Sequence, residues 1–187
     1  MANWSDPELG TFRFDNLWWT RTVTMPAFKA FTYRFRARSA GTSKVPLHFE
    51  VEDEEQLPTR PAVAIAKRLI RNEKAIVSKL LKALFDDLHG KGPKSGMWWH
   101  GDIDSIYEDL SEETGSLRNL KIEKPETLTR LLGSPSITIR ESGYGYKQPR
   151  ATICFEALFE TEHGIGILTD GTRILGTGYE MDVSPFK

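Results

Sequence analysis

The last forty residues constrain the fold of this chain more than any other part. They contain the run ATICFEALFETEHGIGILTDGTRILGTG, in which apolar and polar side chains alternate from Thr152 to Glu160. A period of two predicts a strand. The charged sequence Glu162-His163-Gly164 predicts a corner between this strand and the next, and Asp170-Gly171 predicts a hairpin with a two-residue type I′ turn. We therefore expect antiparallel sheet at this end of the chain.

A second hairpin is expected in the N-terminal third, between the segments FTYRFRAR and LHFEVEDE. Both segments alternate apolar and charged side chains. A hairpin that is symmetric about the intervening loop places Arg34 opposite Glu50 and Phe35 opposite Phe49. Because the charges and the apolar side chains then match, this pairing is the one that the pattern favours.

One long helix is predicted from Thr59 to Leu88, where apolar residues recur at helical spacing. Thr59 is the expected N-cap, and Pro61 suits the first turn. The pair Asn72-Glu73 interrupts the apolar stripe and marks a bend or a break. An apolar face of this length has to pack on a sheet or on another helix.

The expected fold class is α+β, with a mostly antiparallel, twisted sheet, one long helix packed on a face, and one or two short helices. The short helices are predicted at Ile103 to Leu110, with Asp102 as the cap, and at Pro125 to Leu132. Strand patterns outnumber helices and nothing suggests repeated βαβ units. We expect a single domain over residues 1–187, with an irregular insertion at about 91–134.

Composition narrows the classes of function. The 187 residues carry a net charge of −1, so no overall positive field is available to hold nucleic acid or an anionic membrane. No apolar run approaches the ~20 residues that span a bilayer, and the N-terminus does not resemble a signal peptide. The single cysteine excludes an internal disulfide. These features predict a cytoplasmic protein without a membrane partner.

Two blocks of the sequence together carry a resemblance. One is EQLPTRPAVAIAKRLIRNEKAIVSKLLKALFDDL, and the other is SITIR followed by ATICFEALFETEHGIGILTDGTRILGTG. They resemble a bacterial family of uncharacterised small domains, whose members usually have Trp-Asp or Trp-Glu where this chain has Phe159-Glu160. Some members of such families are similar in setting to immunity proteins of toxin systems. The resemblance implies an α+β fold in a bacterial cytoplasmic protein, and it brings no catalytic residues.

The pair Glu162 and His163 is the candidate catalytic site. Histidine titrates near neutral pH, and a neighbouring glutamate could tune it for acid–base chemistry or help it bind a metal. A structural interpretation is favoured, because Gly164 supplies turn geometry and no second His or Cys lies at ligand spacing.

The segment from His100 to Asp109 is the richest in oxygen ligands. His100, Asp102 and Asp104 are candidate metal ligands, followed by Glu108 and Asp109. Hard cations need several converging carboxylates, but this segment lacks the glycine at the sixth position of a calcium loop. On a helix, Asp102 is better explained as an N-cap.

Trp98 and Trp99 form the candidate partner-binding pair. Adjacent aromatic residues after a Gly-Pro loop can anchor a protein partner. The interpretation that we favour is that both lie under a loop as part of the core.

Two remaining features have simpler explanations. The stripe Arg34, Arg36 and Arg38 could bind phosphates, but its aromatic neighbours alternate to the opposite face, and Glu50 would neutralise it. Cys154 lies in the middle of a strand with no activating context, which predicts a buried, unreactive thiol.

The function favoured by the sequence is a non-enzymatic protein-binding module, with toxin neutralisation of the immunity type as one form of it. The alternative is a metal-dependent hydrolase that uses Glu162, His163 and the acidic segment Asp102–Asp109. A second alternative is nucleic-acid binding through Arg34–Arg38, against which the net charge argues. We expect a protein partner and no cofactor. A homo-oligomer is compatible with the sequence.

Overall fold

A computed structural model describes residues 2–34, 37–38, 40–113, 115–143 and 145–187, with the backbone alone for residues 37–38. Its main element is an eight-stranded sheet. The strands of this sheet and of a separate two-stranded sheet are, in chain order, β1 (Asn3–Asp6), β2 (Gly10–Asp15), β3 (Trp18–Thr24), β4 (Tyr33–Arg34), β5 (Ala37–Arg38), β6 (Lys44–Glu50), β7 (Ser136–Arg140), β8 (Arg150–Ala157), β9 (Glu160–Thr169) and β10 (Ile174–Tyr179). The described helices are α1 (Arg60–Arg71), α2 (Glu73–Leu88) and α3 (Ile103–Glu112), with short 3-10 helices at Pro26–Ala30 and Pro125–Arg130. The predicted α+β class is confirmed.

The large sheet has the order β1-β2-β3-β6-β7-β8-β9-β10 and is mostly antiparallel, as predicted. Among the strand pairs that the described residues form in this sheet, only β6 and β7 run parallel, with Leu47 opposite Ile137. A parallel neighbour requires a long crossover connection. Residues 51–135 make this crossover, and they contain α1, α2 and α3.

The predicted pairing of Arg34 with Glu50 is wrong. Strand β4 pairs with β5 in the two-stranded sheet, whereas β6 lies between β3 and β7, so that Trp19 and Ile139 flank Phe49. The Glu50 carboxylate accepts a 2.7 Å hydrogen bond from Arg140 Nε. Alternation fixes which side chains share a face, but it does not fix which strand is the neighbour. Residue 35, the other half of the predicted register, lies outside the described residues.

The prediction of a single long helix is also wrong, because the helix is interrupted at Asn72. This is the place where the sequence predicted a bend or a break. Asn72 has φ −107° and ψ 17°, outside the helical range, and α2 begins at the next residue. The Glu73 carboxylate accepts a hydrogen bond from the Ala27 amide at 3.3 Å, which ties this junction to the first 3-10 helix. Thr59 caps α1 as predicted, with its hydroxyl accepting from the Ala62 amide.

Helices α1 and α2 pack on the large sheet. Helix α1 packs on β7 and β8, and α2 packs on β10 and on both 3-10 helices. Ile153 and Phe155 of β8 and Ile165 and Ile167 of β9 lie in the hydrophobic core. Complete burial of such side chains stabilises the fold by about 1.5–3 kcal/mol each, before the entropy of ordering them is subtracted.

The predicted hairpin at Asp170 exists, but its two-residue turn is wrong, because residues 170–173 all lie between β9 and β10. The Asp170 carboxylate accepts hydrogen bonds from the amides of Thr172 and Arg173, at 2.9 and 2.8 Å. Burial acts to raise the pKa of this carboxyl, but these hydrogen bonds outweigh burial and hold the pKa far below its usual range. An Asp side chain that bonds its own backbone in this way favours the wider loop.

The C-terminal tail, residues 180–187, folds back beside β10. The Phe186 amide donates to the Leu175 carbonyl at 2.7 Å. Gly176 and Gly178 permit this approach, because a Cβ at Gly176 would lie 2.0 Å from the Ser184 carbonyl oxygen. The tail thereby brings residues 180–182 next to β9.

Candidate functional site

The sequence Glu162-His163-Gly164 lies inside β9, so the predicted corner is wrong. The chain reverses earlier, at residues 158–159. Ala157 is opposite Glu160 and Phe155 is opposite Ile165, so Glu156 alone faces the run 161–164. This mismatch of four residues against one is a large, irregular bulge in β9. Bulges bend a strand, turn side chains away from the ladder and are frequent next to functional sites.

Gly164 makes this bulge possible. Its φ is +63°, a conformation that L side chains rarely adopt. A Cβ at this position would also lie 2.8 Å from the Phe155 carbonyl oxygen. The sequence correctly indicates that Gly164 has a structural role, but that role is in a bulge.

Glu160 holds the bulge together. One of its oxygens, Oε1, accepts from the His163 amide at 3.2 Å and lies 3.1 Å from His163 Nδ1. The other, Oε2, accepts from the Trp98 indole at 2.9 Å. Burial acts to raise the pKa of this carboxyl, but the hydrogen bonds from Trp98 and His163 outweigh burial, so the pKa is lowered. The side chain that binds His163 is therefore Glu160, and the neighbouring Glu162 is exposed.

His163 is fixed in orientation and open to solvent. Its ring packs on the Tyr179 ring, with centroids 4.7 Å apart, and its side chain is 56% exposed. When Nδ1 donates to Glu160, the neutral ring keeps Nε2 as an acceptor. This arrangement can accept a proton or a hydrogen bond from a bound molecule.

The bulge forms one wall of a cleft with a volume of ≈ 790 Å³. Strands β8 and β9 and the tail contribute carboxylates to its lining, and β4 and β10 each add an aromatic ring. The carboxylates are those of Glu156, Glu160, Glu162, Glu180 and Asp182. None of the described residues that line the cleft is a lysine or an arginine.

Glu180 and Glu156 repel each other across this cleft. Burial raises the pKa of Glu180; a hydrogen bond with Cys154 and the charge of Arg140 act to lower it, and the negative charge of Glu156 acts to raise it, so that the pKa stays raised. The pKa of the Tyr33 hydroxyl is also raised, first by burial and then by the charges of Glu113 and Glu156. A positively charged group that enters the cleft would relieve this repulsion.

The structure separates the predicted partner-binding pair. Trp98 is 41% exposed at the edge of the site, where it donates to Glu160. Trp99 is fully buried, and its ring makes edge-to-face contacts with Phe159 and Tyr179. Trp99 therefore belongs to the core, and of the two only Trp98 has exposed surface.

Trp99 leads to a second carboxylate cluster, which the sequence analysis missed. Asp87 is 1% exposed and its carboxylate accepts from Trp99 Nε1 and Thr177 Oγ1, both at 2.9 Å, and from Ser95 Oγ at 2.8 Å. Nδ1 of His100 lies 2.6 Å from the same carboxylate. A signal was present in the sequence, because Asp87 falls on the apolar stripe of α2, where a charge has to be paired if it is buried.

The predicted metal ligands His100, Asp102 and Asp104 do not form a common site. His100 binds Asp87, and Asp102 caps α3 by accepting from the Ser105 amide, which confirms the predicted cap. Asp104 is exposed. Among the described residues, no group of three or more His, Cys, Asp or Glu side chains is placed to hold a metal ion. The described residues of the segment Asp102–Asp109 do not line the cleft.

Two further predictions concerned the stripe of Arg34, Arg36 and Arg38 and the thiol of Cys154. Arg34 is exposed on β4, residue 36 lies outside the described residues, and only the backbone of residue 38 is described. Cys154 is buried, as predicted. Burial raises the pKa of its thiol well above the ordinary value, which keeps it protonated.

The fold and the site define a class: an α+β domain with an acidic cleft beside a bulged strand. The chain belongs to the family described as Domain of unknown function (DUF6985), whose family model matches residues 8–184. Searches of curated proteins and of solved structures give no match. No helix in the described part of the chain is long and apolar enough to cross a membrane.

Proposed function

We propose that this protein is a binding module that holds a basic segment of a partner protein in the acidic cleft. The observation that carries the proposal is the lining: five carboxylates, with no lysine or arginine among the described lining residues. A concave surface of one sign attracts ligands of the opposite sign and concentrates the field. Lysine or arginine side chains of a partner are the ligands that best match it.

Aromatic rings make the cleft suitable for such side chains. Tyr33 and Tyr179 line it, and Trp98 is exposed beside Glu160. Guanidinium and ammonium groups are stabilised over aromatic faces by about 0.5–2 kcal/mol. Arginine can in addition form paired hydrogen bonds with a carboxylate such as that of Glu162. An arginine-containing segment therefore fits this surface better than a lysine-containing one.

The test is a tagged pull-down from the native host with three proteins. These are the wild type, Glu162→Lys in the cleft and Glu108→Lys on α3 as a matched control. Both glutamates are exposed, and Glu108 does not line the cleft. We expect one stoichiometric partner with the wild type and the control, released by moderate salt, and a loss of that partner with Glu162→Lys. Equal recovery with both variants, or no partner at all, would overturn the proposal.

Toxin neutralisation is the specific form of this proposal. A toxin domain with a basic active surface would be held, and so masked, by the same cleft. Co-expression with a candidate toxin encoded beside this chain should rescue growth with the wild type and Glu108→Lys. It should fail with Glu162→Lys at equal protein level. Failure of the wild type to rescue excludes the toxin form and leaves the pull-down as the test of binding.

A hydrolytic role is the second candidate, and the geometry of His163 favours it. Glu160 orients the imidazole, and the carboxyl of Glu180, whose pKa is raised by burial, lines the same cleft. The acidic segment on α3 has no part in this version. The expected result is hydrolysis of a generic ester or phosphate substrate that is lost in His163→Asn but kept in His89→Asn, outside the cleft. Absence of any turnover by the wild type removes it.

A further inference from the structure

A second groove has the opposite charge. It lies between α2, the loop that follows it, β10 and the tail, and it has a volume of ≈ 440 Å³. Four cationic side chains line it: Lys79, Lys82, Lys91 and Arg173. The only carboxylate among the described lining residues is that of Asp86. The net charge of the whole chain is −1, so the groove is a local region of positive charge.

Two of these cations are not neutralised. Lys82 pairs with Asp86 at 2.5 Å, and Arg173 pairs with the loop residue Asp170 at 3.0 Å. The Lys79 ammonium donates to a neutral acceptor, the Thr172 carbonyl, at 2.6 Å. Among the described residues, Lys79 and Lys91 have no carboxylate partner in an ion pair.

The floor of the groove is apolar. Ala83 of α2, Ile174 of β10 and Phe186 of the tail contribute to it, and each is only partly buried. The hydrogen bond from the Phe186 amide to the Leu175 carbonyl fixes the tail on this side. The groove thus combines an apolar surface with cations at its edge.

We propose that this groove binds a small organic anion with an apolar body, such as an acyl chain that ends in a carboxylate. The volume is within the ~300–1,000 Å³ that is typical of small-molecule sites, which are mostly apolar with a few placed polar groups. The chain would lie on Ala83, Ile174 and Phe186, and its carboxylate would meet Lys91 and Lys79. Attachment to a membrane surface is a poorer match, because membrane anchors present protruding apolar side chains and this surface is concave.

The test is a titration with decanoate, followed by amide chemical shifts and by calorimetry. Decyltrimethylammonium and decanol are matched probes with the same chain and a positive or no charge. We expect decanoate alone to bind, with shift changes centred on Ala83, Ile174 and Phe186. Equal binding of the cationic probe, or shift changes centred elsewhere, would overturn the proposal.

Three variants locate the site. Lys91→Glu should weaken decanoate binding about tenfold, as expected for loss of one charge-assisted hydrogen bond. Ala83→Leu should abolish binding by filling the groove, at little cost to the helix. Lys94→Glu is the matched control, since Lys94 is exposed in the same loop but does not line the groove. Thermal unfolding of each variant confirms that the fold is intact.

Two further arms distinguish other occupants. In one arm, vesicles of anionic lipid replace decanoate. In the other arm, a glutamate-rich peptide with one phenylalanine replaces it. Binding of either one without binding of free decanoate would overturn the proposal, as would an equal loss of affinity in Lys91→Glu and Lys94→Glu. Binding of decanoate that is weakened by Lys91→Glu and Ala83→Leu, but not by Lys94→Glu, supports it.

Discussion

Two regions of this molecule use the same three groups in different surroundings. The adjacent indoles of Trp98 and Trp99 donate to two carboxylates, those of Glu160 and Asp87, each at 2.9 Å. Each carboxylate also lies within 3.1 Å of an imidazole Nδ1. The chemistry of the two clusters is therefore alike, and the difference between them lies in what else surrounds each carboxylate.

The Asp87 cluster is closed, whereas the Glu160 cluster is open. The Asp87 carboxylate has two additional hydroxyl donors, and the side chain of its histidine, His100, is 18% exposed. Glu160 lies at the edge of a bulged strand, and the side chain of its histidine, His163, is 56% exposed beside an acidic cleft. A carboxylate–imidazole pair is thus a structural element in one place and part of a candidate site in the other. Access, rather than residue type, separates the two.

The largest effect is expected from Asp87→Ala. This change leaves the indole, hydroxyl and imidazole donors without their common acceptor in a buried position. We expect the free energy of unfolding to fall by about 3–5 kcal/mol, measured by denaturant titration. Asp86→Ala is the control, since the one ion-pair partner of Asp86 among the described residues is the exposed Lys82, and its effect should stay within about 0.5–1 kcal/mol. Equal effects of the two changes would contradict the description of Asp87 as the closed cluster.

The second-largest loss of stability is expected from a change in the backbone of the bulge, at Gly164. Gly164→Ala adds a Cβ at φ +63° and 2.8 Å from a carbonyl oxygen, so it should cost about 2–3 kcal/mol of unfolding free energy. Gly96→Ala is the matched control, because Gly96 has φ +81° but nothing lies within 4 Å of its Cβ position. The control carries the dihedral cost alone. If both variants lose the same stability, the close approach across the bulge does not matter.

Substitutions of Trp98 and Trp99 allow a direct comparison of the two clusters. Trp99→Phe removes the donor to the buried Asp87 and should cost about 1–2 kcal/mol. Trp98→Phe removes the donor to Glu160, where solvent can replace it, and should cost less than about 1 kcal/mol. Unfolding by denaturant, monitored by circular dichroism, measures both. A larger loss in Trp98→Phe would reverse the assignment of the open and closed clusters.

The sequence predicted the fold class, the cap at Thr59 and the break near Asn72, because these depend on local patterns. It could not predict that β6 pairs with β3 and β7, since alternation leaves the choice of neighbour open. For the site, it found His163 but chose the adjacent Glu162 as its partner. The actual partner, Glu160, is reached only through the bulge, and three-dimensional register of this kind leaves no local signal.

The smallest effects, and the sharpest comparison within the cleft, come from pH. The folded-state pKa of Glu160 is lowered from 4.5, so its ionised form stabilises the fold above pH 4.5 and this contribution is lost as pH falls through the lowered pKa. The folded-state pKa of Glu180 is raised from 4.5, so its contribution is present below pH 4.5 and is lost as pH rises through the raised pKa. Glu160→Gln should therefore reduce stability at neutral pH, whereas Glu180→Gln should increase it, each by less than about 1 kcal/mol. Unfolding free energies measured from pH 3 to pH 7, with carboxyl carbon shifts of both residues, test this opposition in sign. Changes of the same sign would show that the cleft carboxylates do not experience the separate environments that their hydrogen bonds and burial imply.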